Sequence, residues 1–120
     1  MDLPMSDLEI TRLCAAAMGI PVFEDAEIGG HIYSSLDGDT YNPLHDDMQA
    51  MALVKKMQLF IMPEHEGLAW LVSDKNDHEQ FQAGDDDLNH AICEVCAKLQ
   101  QAKIKAAFEA AQAVDIKARL

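Results

Sequence analysis

Apolar and polar positions alternate with a helical repeat in some stretches of the chain and a strand repeat in others. Leu8, Thr11, Ala15 and Met18 share one helical face, widened by Ile10, Leu13, Cys14 and Ala17. Ser6 and Glu9 have capping-box spacing, Gly19 suits a left-handed C-terminal cap, and Pro21 blocks continuation, so a helix is predicted over 7–18. Val22-Phe23 opens a short strand, Gly29-Gly30 interrupts it, His31-Ile32-Tyr33 returns as a second, and Asp37-Gly38-Asp39 is a turn. Asn42-Pro43 then has the residues of a helix start, with Asn42 as cap and Pro43 where an amide is orphaned anyway. Leu44, Met48, Met51, Val54 and Gln58 give this second helix an apolar stripe, thickened by Ala52 and Leu53. Asp46 and Asp47 in its first turn and Lys55 and Lys56 in its last complement the helix dipole. Met48, Met51 and Met57 are expected to fill the core.

The period then changes. Leu59–Met62 is a short apolar run stopped by Pro63, Glu64-His65-Glu66-Gly67 is a turn, and Leu68–Val72 is a second run stopped by Ser73-Asp74. Two such runs predict an antiparallel hairpin, apolar on both faces and so buried on both, with Phe60 and Trp70 in the core. Asp85-Asp86-Asp87 offers a cap and an acidic first turn for a third helix. Leu88, Ile92, Val95, Leu99, Ala102 and Ala106 then run at 4-3-4-3-4 spacing with no later glycine or proline, so this helix spans 86 to 112. Its length is about 40 Å at the usual rise. Its last third, with Ile104, Phe108 and Val114 on a rotated face, is expected to project or to meet a second subunit. The fold expected is therefore α/β in the α+β sense: a small antiparallel sheet packed with three helices, sandwich-like, with a long C-terminal helix.

The 120 residues carry 21 acids against 9 Lys and Arg, a formal net charge of −12. Such acidity excludes a phosphate-tracking role and disfavours anionic membranes. Residues 1–97 hold 19 acidic and 4 basic side chains, whereas 98–120 hold five basic and two acidic, so an acidic body carries a mildly basic tail. The first seven residues lack the basic and apolar regions of a secretion signal, and no apolar run approaches the ~20 residues of a membrane span. With Cys14, Cys93 and Cys96 an odd set, reduced thiols in a cytosol are expected.

His90, Cys93 and Cys96 form the sharpest candidate for chemistry, since zinc favours thiolate and imidazole. Their spacing lies within a helical stripe and a fourth ligand is missing from it, so core packing is the stronger expectation. His31 with His45, Asp46 and Asp47 is a weaker metal candidate. Asp74 with Asn76 fails as a calcium loop because Glu79 stands where glycine is needed. Glu64-His65-Glu66 lacks an orienting partner. No nucleophile, base and orienter can be assembled, so the chain is expected not to be an enzyme and to need no cofactor.

Four segments carry a family resemblance: Leu13-Cys14-Ala15-Ala16-Ala17-Met18-Gly19-Ile20, Tyr41-Asn42-Pro43-Leu44-His45-Asp46-Asp47, Ala50-Met51-Ala52-Leu53-Val54-Lys55-Lys56, and Ala91-Ile92-Cys93-Glu94-Val95-Cys96. In this order they resemble the phage ABA-sandwich domain family, over roughly residues 8–100. The resemblance implies an α/β sandwich of phage or prophage origin, with one domain over 1–103; the chain departs from the family after about residue 103, and a C-terminal helical extension over 104–120 is particular to it. It implies no activity and carries over no functional residue.

The function expected is that of a small acidic phage or prophage accessory protein acting by protein–protein contact, in a host-modulating or anti-defence role. Its partner would be a basic host or phage protein, met through Asp74, Asp77, Glu79, Asp85, Asp86 and Asp87, with Asp46 and Asp47 as a further cluster. One version has these carboxylates standing in for DNA phosphates. An alternative is an assembly module forming a homodimer through Leu99, Ala102, Ile104, Ala106 and Phe108. A metal-binding protein built on His90, Cys93 and Cys96 is the third expectation.

Overall fold

A computed structural model describes residues 5–25, 31–34, 41–64, 69–75 and 82–119. Helix α1 spans Asp7–Met18. The Ser6 side chain accepts from the Glu9 N–H at 3.2 Å, as its spacing predicts. At the other end Gly19 adopts φ 70°, and the amides of Gly19 and Ile20 bond the carbonyls of Ala16 and Ala15. That is a Schellman cap, and its left-handed residue has to be glycine-like. Strands β1 (Val22–Asp25) and β2 (His31–Ser34) pair antiparallel. The predicted Gly29-Gly30 and Asp37-Gly38-Asp39 breaks lie outside the described residues.

Helix α2 spans Asp47–Met57, so it begins later than Asn42-Pro43 suggests. Asp46 is the cap, its carboxylate accepting from the Gln49 N–H at 3.0 Å. Asn42 instead opens a turn closed by the His45 N–H, and its own N–H donates to Gln49 Oε1 at 2.6 Å. Burial explains the displacement. Tyr41, Pro43 and Leu44 all point into the core, which draws 41–44 inward and leaves the later acid to cap. The buried face of α2 is consequently Ala50 and Leu53, flanked by Val54 and Met57. Met48 is 84 % exposed and Met51 43 % exposed, so neither is core filler.

Strands β3 (Phe60–Glu64), β4 (Ala69–Ser73) and β5 (Ala83–Asp85) form an antiparallel sheet in that order. Pro63 lies inside β3 rather than ending it, which an edge strand tolerates. The register places Ile61, Val72 and Ala83 on one face, against α3. Phe60 and Met62 occupy the opposite face of β3 and are 54 % and 45 % exposed. The expected burial on both faces, and Phe60 in the core, therefore do not hold: among the described residues only one face meets a helix. Trp70 is half-buried. The predicted turn around His65 lies outside the described residues. Strand β5 escapes sequence reading because it is three residues long with a central glycine.

Helix α3 spans Leu88–Arg119, about 48 Å at the usual rise. Asp87 caps it, its carboxylate accepting from the amides of Asn89 and His90 and its carbonyl from Ala91. α3 is the common partner of α1, α2, β4 and β5. Ala91, Ile92, Cys93, Val95, Cys96 and Ala97 are fully buried, and only Glu94 in this run reaches solvent. From residue 103 to 113 every side chain is exposed. The radius of gyration is 16.2 Å, against about 13.5 Å for a compact chain of this length.

The core carries a direct prediction. Leu53→Ala removes a fully buried side chain and should cost about 2–5 kcal/mol in urea unfolding. Gly19→Ala meets no neighbouring atom but keeps the left-handed backbone, and should cost about 1–2 kcal/mol. Losses under ~0.5 kcal/mol at both positions would contradict this packing.

Candidate functional site

The N-termini of α2 and α3 meet at a cleft of about 340 Å³ lined by Asp47, Ala50, Met51, Asp87, Leu88, Asn89 and Ile92. Asn89 Nδ2 donates to Asp47 Oδ1 at 2.8 Å, tying the two helix starts together. The floor is apolar and the rim acidic, because both helices begin on aspartates that satisfy or complement their free amides. Asp46, Asp47, Asp86 and Asp87 are all exposed.

The acids expected to form a docking face do not stay together. Asp74 is 5 % exposed and so cannot be presented to a partner. Asp77 and Glu79 lie outside the described residues. Asp85 is half-buried: its Oδ1 accepts from the Asp87 N–H at 2.8 Å and its Oδ2 lies 2.9 Å from His90 Nδ1. The Asp87 amide, then Asp86 and the His90 ring, hold the Asp85 carboxyl below the usual range, against the opposing effect of burial. The stability Asp85 contributes is thus present above the ordinary carboxylate range and lost as pH falls below that range through the lowered folded-state value. Asp86 and Asp87 remain exposed, and of the two Asp87 lines the cleft.

His90 is ringed by acids from three elements. Besides Asp85, Glu94 Oε2 lies 3.9 Å from Nδ1 and Asp7 Oδ1 lies 4.0 Å from Nε2. The Asp85 contact does not count as a hydrogen bond of His90 Nδ1, and it becomes an ion pair only when the ring is protonated. Cys93 and Cys96 point elsewhere, into the core. The Cys14 thiol donates to the Cys93 carbonyl at 3.4 Å where α1 crosses α3. Contact with the Cys14 thiol and then burial raise Cys93, and burial first raises Cys96, far above an ordinary thiol. Neutral thiols are poor ligands and poor nucleophiles. Among the described residues, no three His, Cys, Asp or Glu side chains gather where they could hold a metal ion. His45, Asp46 and Asp47 sit around an exposed helix start, and His31 lies in β2.

Tyr41 enters this core beside the three thiols. Burial, then the neighbouring Cys14, Cys93 and Cys96, pushes its hydroxyl well above the usual range. The hydroxyl is buried without a hydrogen-bond partner among the described residues. Sequence reading missed it, because nothing local separates a buried tyrosine from an exposed one.

The expected oligomer face divides at the point where α3 leaves the body. Leu99 and Ala102 are half-buried within the chain, whereas Ile104, Ala106 and Phe108 are exposed. Lys98, the first of the tail's basic residues, belongs to the body: its Nζ donates to the Gln82 carbonyl at 2.9 Å and pairs with Glu94 at 3.7 Å.

Compared with protein-family models, curated proteins and solved structures, the chain matches none. Among the described residues no helix is long and apolar enough to cross a membrane.

Two measurements check the core. Tyr41→Phe removes an unpaired buried hydroxyl and should leave stability unchanged or raise it by about 1 kcal/mol; a loss of that size would reveal a hidden partner. All three cysteines should react with a thiol reagent only as fast as the protein opens, and rapid labelling of Cys93 or Cys96 in the folded state would contradict their burial.

Proposed function

We propose that the chain is a small acidic accessory protein of phage or prophage type, resident in the bacterial cytoplasm, acting by protein–protein contact and not by catalysis. The observation that carries this is the cleft between α2 and α3. It combines exposed methionine, an apolar floor of Leu88 and Ile92, and carboxylates at its rim. Methionine adapts to varied apolar surfaces, and a ring of one charge selects partners of the other. The partner suited to it is basic and presents apolar side chains between its charges. Mimicry of DNA draws less support, since Asp74 is buried and Asp85, Asp46 and Asp87 serve the helix caps.

The second reading, an assembly module, is favoured by one observation: Ile104 and Phe108 stand 51 % and 62 % exposed on a helix with no neighbour at that level among the described residues. Large apolar side chains grouped on an exposed helix mark an interaction surface.

Immobilised protein should retain basic proteins from a bacterial lysate at low salt and release them as NaCl approaches about 0.5 M, where screening acts within a few ångströms. A variant with Asp47→Asn and Met51→Ser should retain none of them. Retention indifferent to salt, or to these substitutions, would overturn the reading.

A further inference from the structure

We propose that the α2–α3 cleft binds an arginine side chain of a partner protein, together with the apolar side chain beside it. The proposal rests on the cleft being a docking surface, as above, and it names what that surface recognises.

The charges of the cleft select a single cation. Asp47 and Asp87 are the ionisable groups in its lining, and neither lysine nor arginine lines it. Both acids stand at the start of a helix, where the aligned peptide dipoles amount to about half a positive charge. The two helix ends therefore offset roughly one of the two negative charges. What remains matches one monovalent cation. A divalent metal is poorly served, since the lining adds no imidazole, thiol or third carboxylate.

The positions of the two carboxylates favour a guanidinium over an ammonium. Asn89 Nδ2 donates to Asp47 Oδ1 at 2.8 Å, and the Asn89 N–H donates to Asp87 Oδ1 at 3.0 Å. One residue thus holds acids from two helices at the same cleft. Both acids are exposed, and each has a second oxygen that these bonds leave open. A guanidinium presents its N–H donors in a planar fork, so one head can serve acceptors on both helices. An ammonium is a compact point charge and holds its water more strongly, which an apolar floor penalises.

The floor suits the rest of the side chain. Ala50 and Ile92 are buried and Leu88 is half-buried. The methylenes of an arginine pack on such a surface while the head stays at the acidic rim. Met51 is exposed on the α2 side, where its flexible thioether can meet a neighbouring apolar side chain. A volume of about 340 Å³ has room for both. The lysines of α2 and α3 do not supply the cation. Lys55 and Lys56 close the opposite end of α2, and Lys98 is bound to the Gln82 carbonyl and to Glu94. Lys103 and those after it lie at least about four turns beyond Leu88 on one continuous helix.

An NMR titration of the full chain tests this, with a short glycine–serine peptide carrying one arginine–leucine pair. The methyl groups of Met51, Leu88 and Ile92 and the side-chain amide of Asn89 should shift together, with a dissociation constant at or below about 1 mM. Lysine in place of the arginine should weaken binding at least about threefold. Citrulline, of the same shape without the charge, should abolish it. Asp47→Asn keeps an oxygen for Asn89 but loses the charge, and should raise the dissociation constant at least about fivefold. Met51→Ser should weaken binding of the leucine-bearing peptide too. Glu9→Gln removes the same charge from exposed α1 and should change the constant less than about twofold, as a distant screened charge does. Resonances that do not respond at about 5 mM peptide overturn the proposal. So does a lysine peptide bound as tightly as the arginine one, or binding indifferent to both cleft variants. Free arginine bound as tightly as the peptide overturns the partner protein in favour of a small guanidinium compound. If the peptide fails while the cleft variants still lose basic proteins that the wild type captures, the docking surface stands and only the arginine anchor falls.

Discussion

The structure depends on how closely α3 can be approached over residues 91–97. In that run α3 meets α1, α2 and the β3–β5 sheet, so nearly every direction around the helix is occupied. Close packing on several sides demands small side chains, and the run reads Ala, Ile, Cys, Glu, Val, Cys, Ala. The contact between the Cys14 thiol and the Cys93 carbonyl shows how near α1 comes. Ala15 and Ala97 are fully buried in the same core, and Ala50 answers from α2. The cysteines are thus core residues chosen by size, and their burial in apolar surroundings is what keeps them protonated.

Several other features follow from that packing. Because α2 and α3 both start at the same end of the core, their capping carboxylates fall together and make an acidic rim. Most of this acid has a local task. Asp46 and Asp87 satisfy helix amides, and Asp85 holds the Asp87 amide and faces His90. Asp47 and Asp86 are exposed to another molecule, though Asp47 is also held by Asn89 and Asp86 contacts Asp85. The net charge of −12 therefore overstates the surface available for recognition.

The parts of the fold written in local chemistry were legible in the sequence. The caps of α1, the lysines closing α2, the antiparallel β3–β4 pairing and the long third helix follow from residues a few positions apart. What depends on distant neighbours was not. Asn42 and Asp46 are both competent caps, and only the burial of Tyr41, Pro43 and Leu44 decides between them. That choice rotates the expected stripe of α2 and turns Met48 and Met51 outward. The apolar run of β3 does not reveal that Phe60 and Met62 stand exposed on one of its faces, nor does the acidity around residue 74 reveal that Asp74 is enclosed. The cleft itself was invisible, because it joins Met51 to Leu88 across a sequence distance with no periodic signature.

Past residue 102 the same helix changes role, from the axis of the core to an arm standing clear of it. Its alanines sustain the helix by propensity, while Ile104 and Phe108 are larger than propensity requires. This division of α3 into axis and arm is the central structural claim, and native-state hydrogen exchange tests it most directly. At submicromolar concentration, amides of 91–97 should exchange only through global opening, the slowest in the molecule, while those of 103–113 exchange orders of magnitude faster through local fraying. Uniform protection along α3, or faster exchange in 91–97 than in α2, would contradict it.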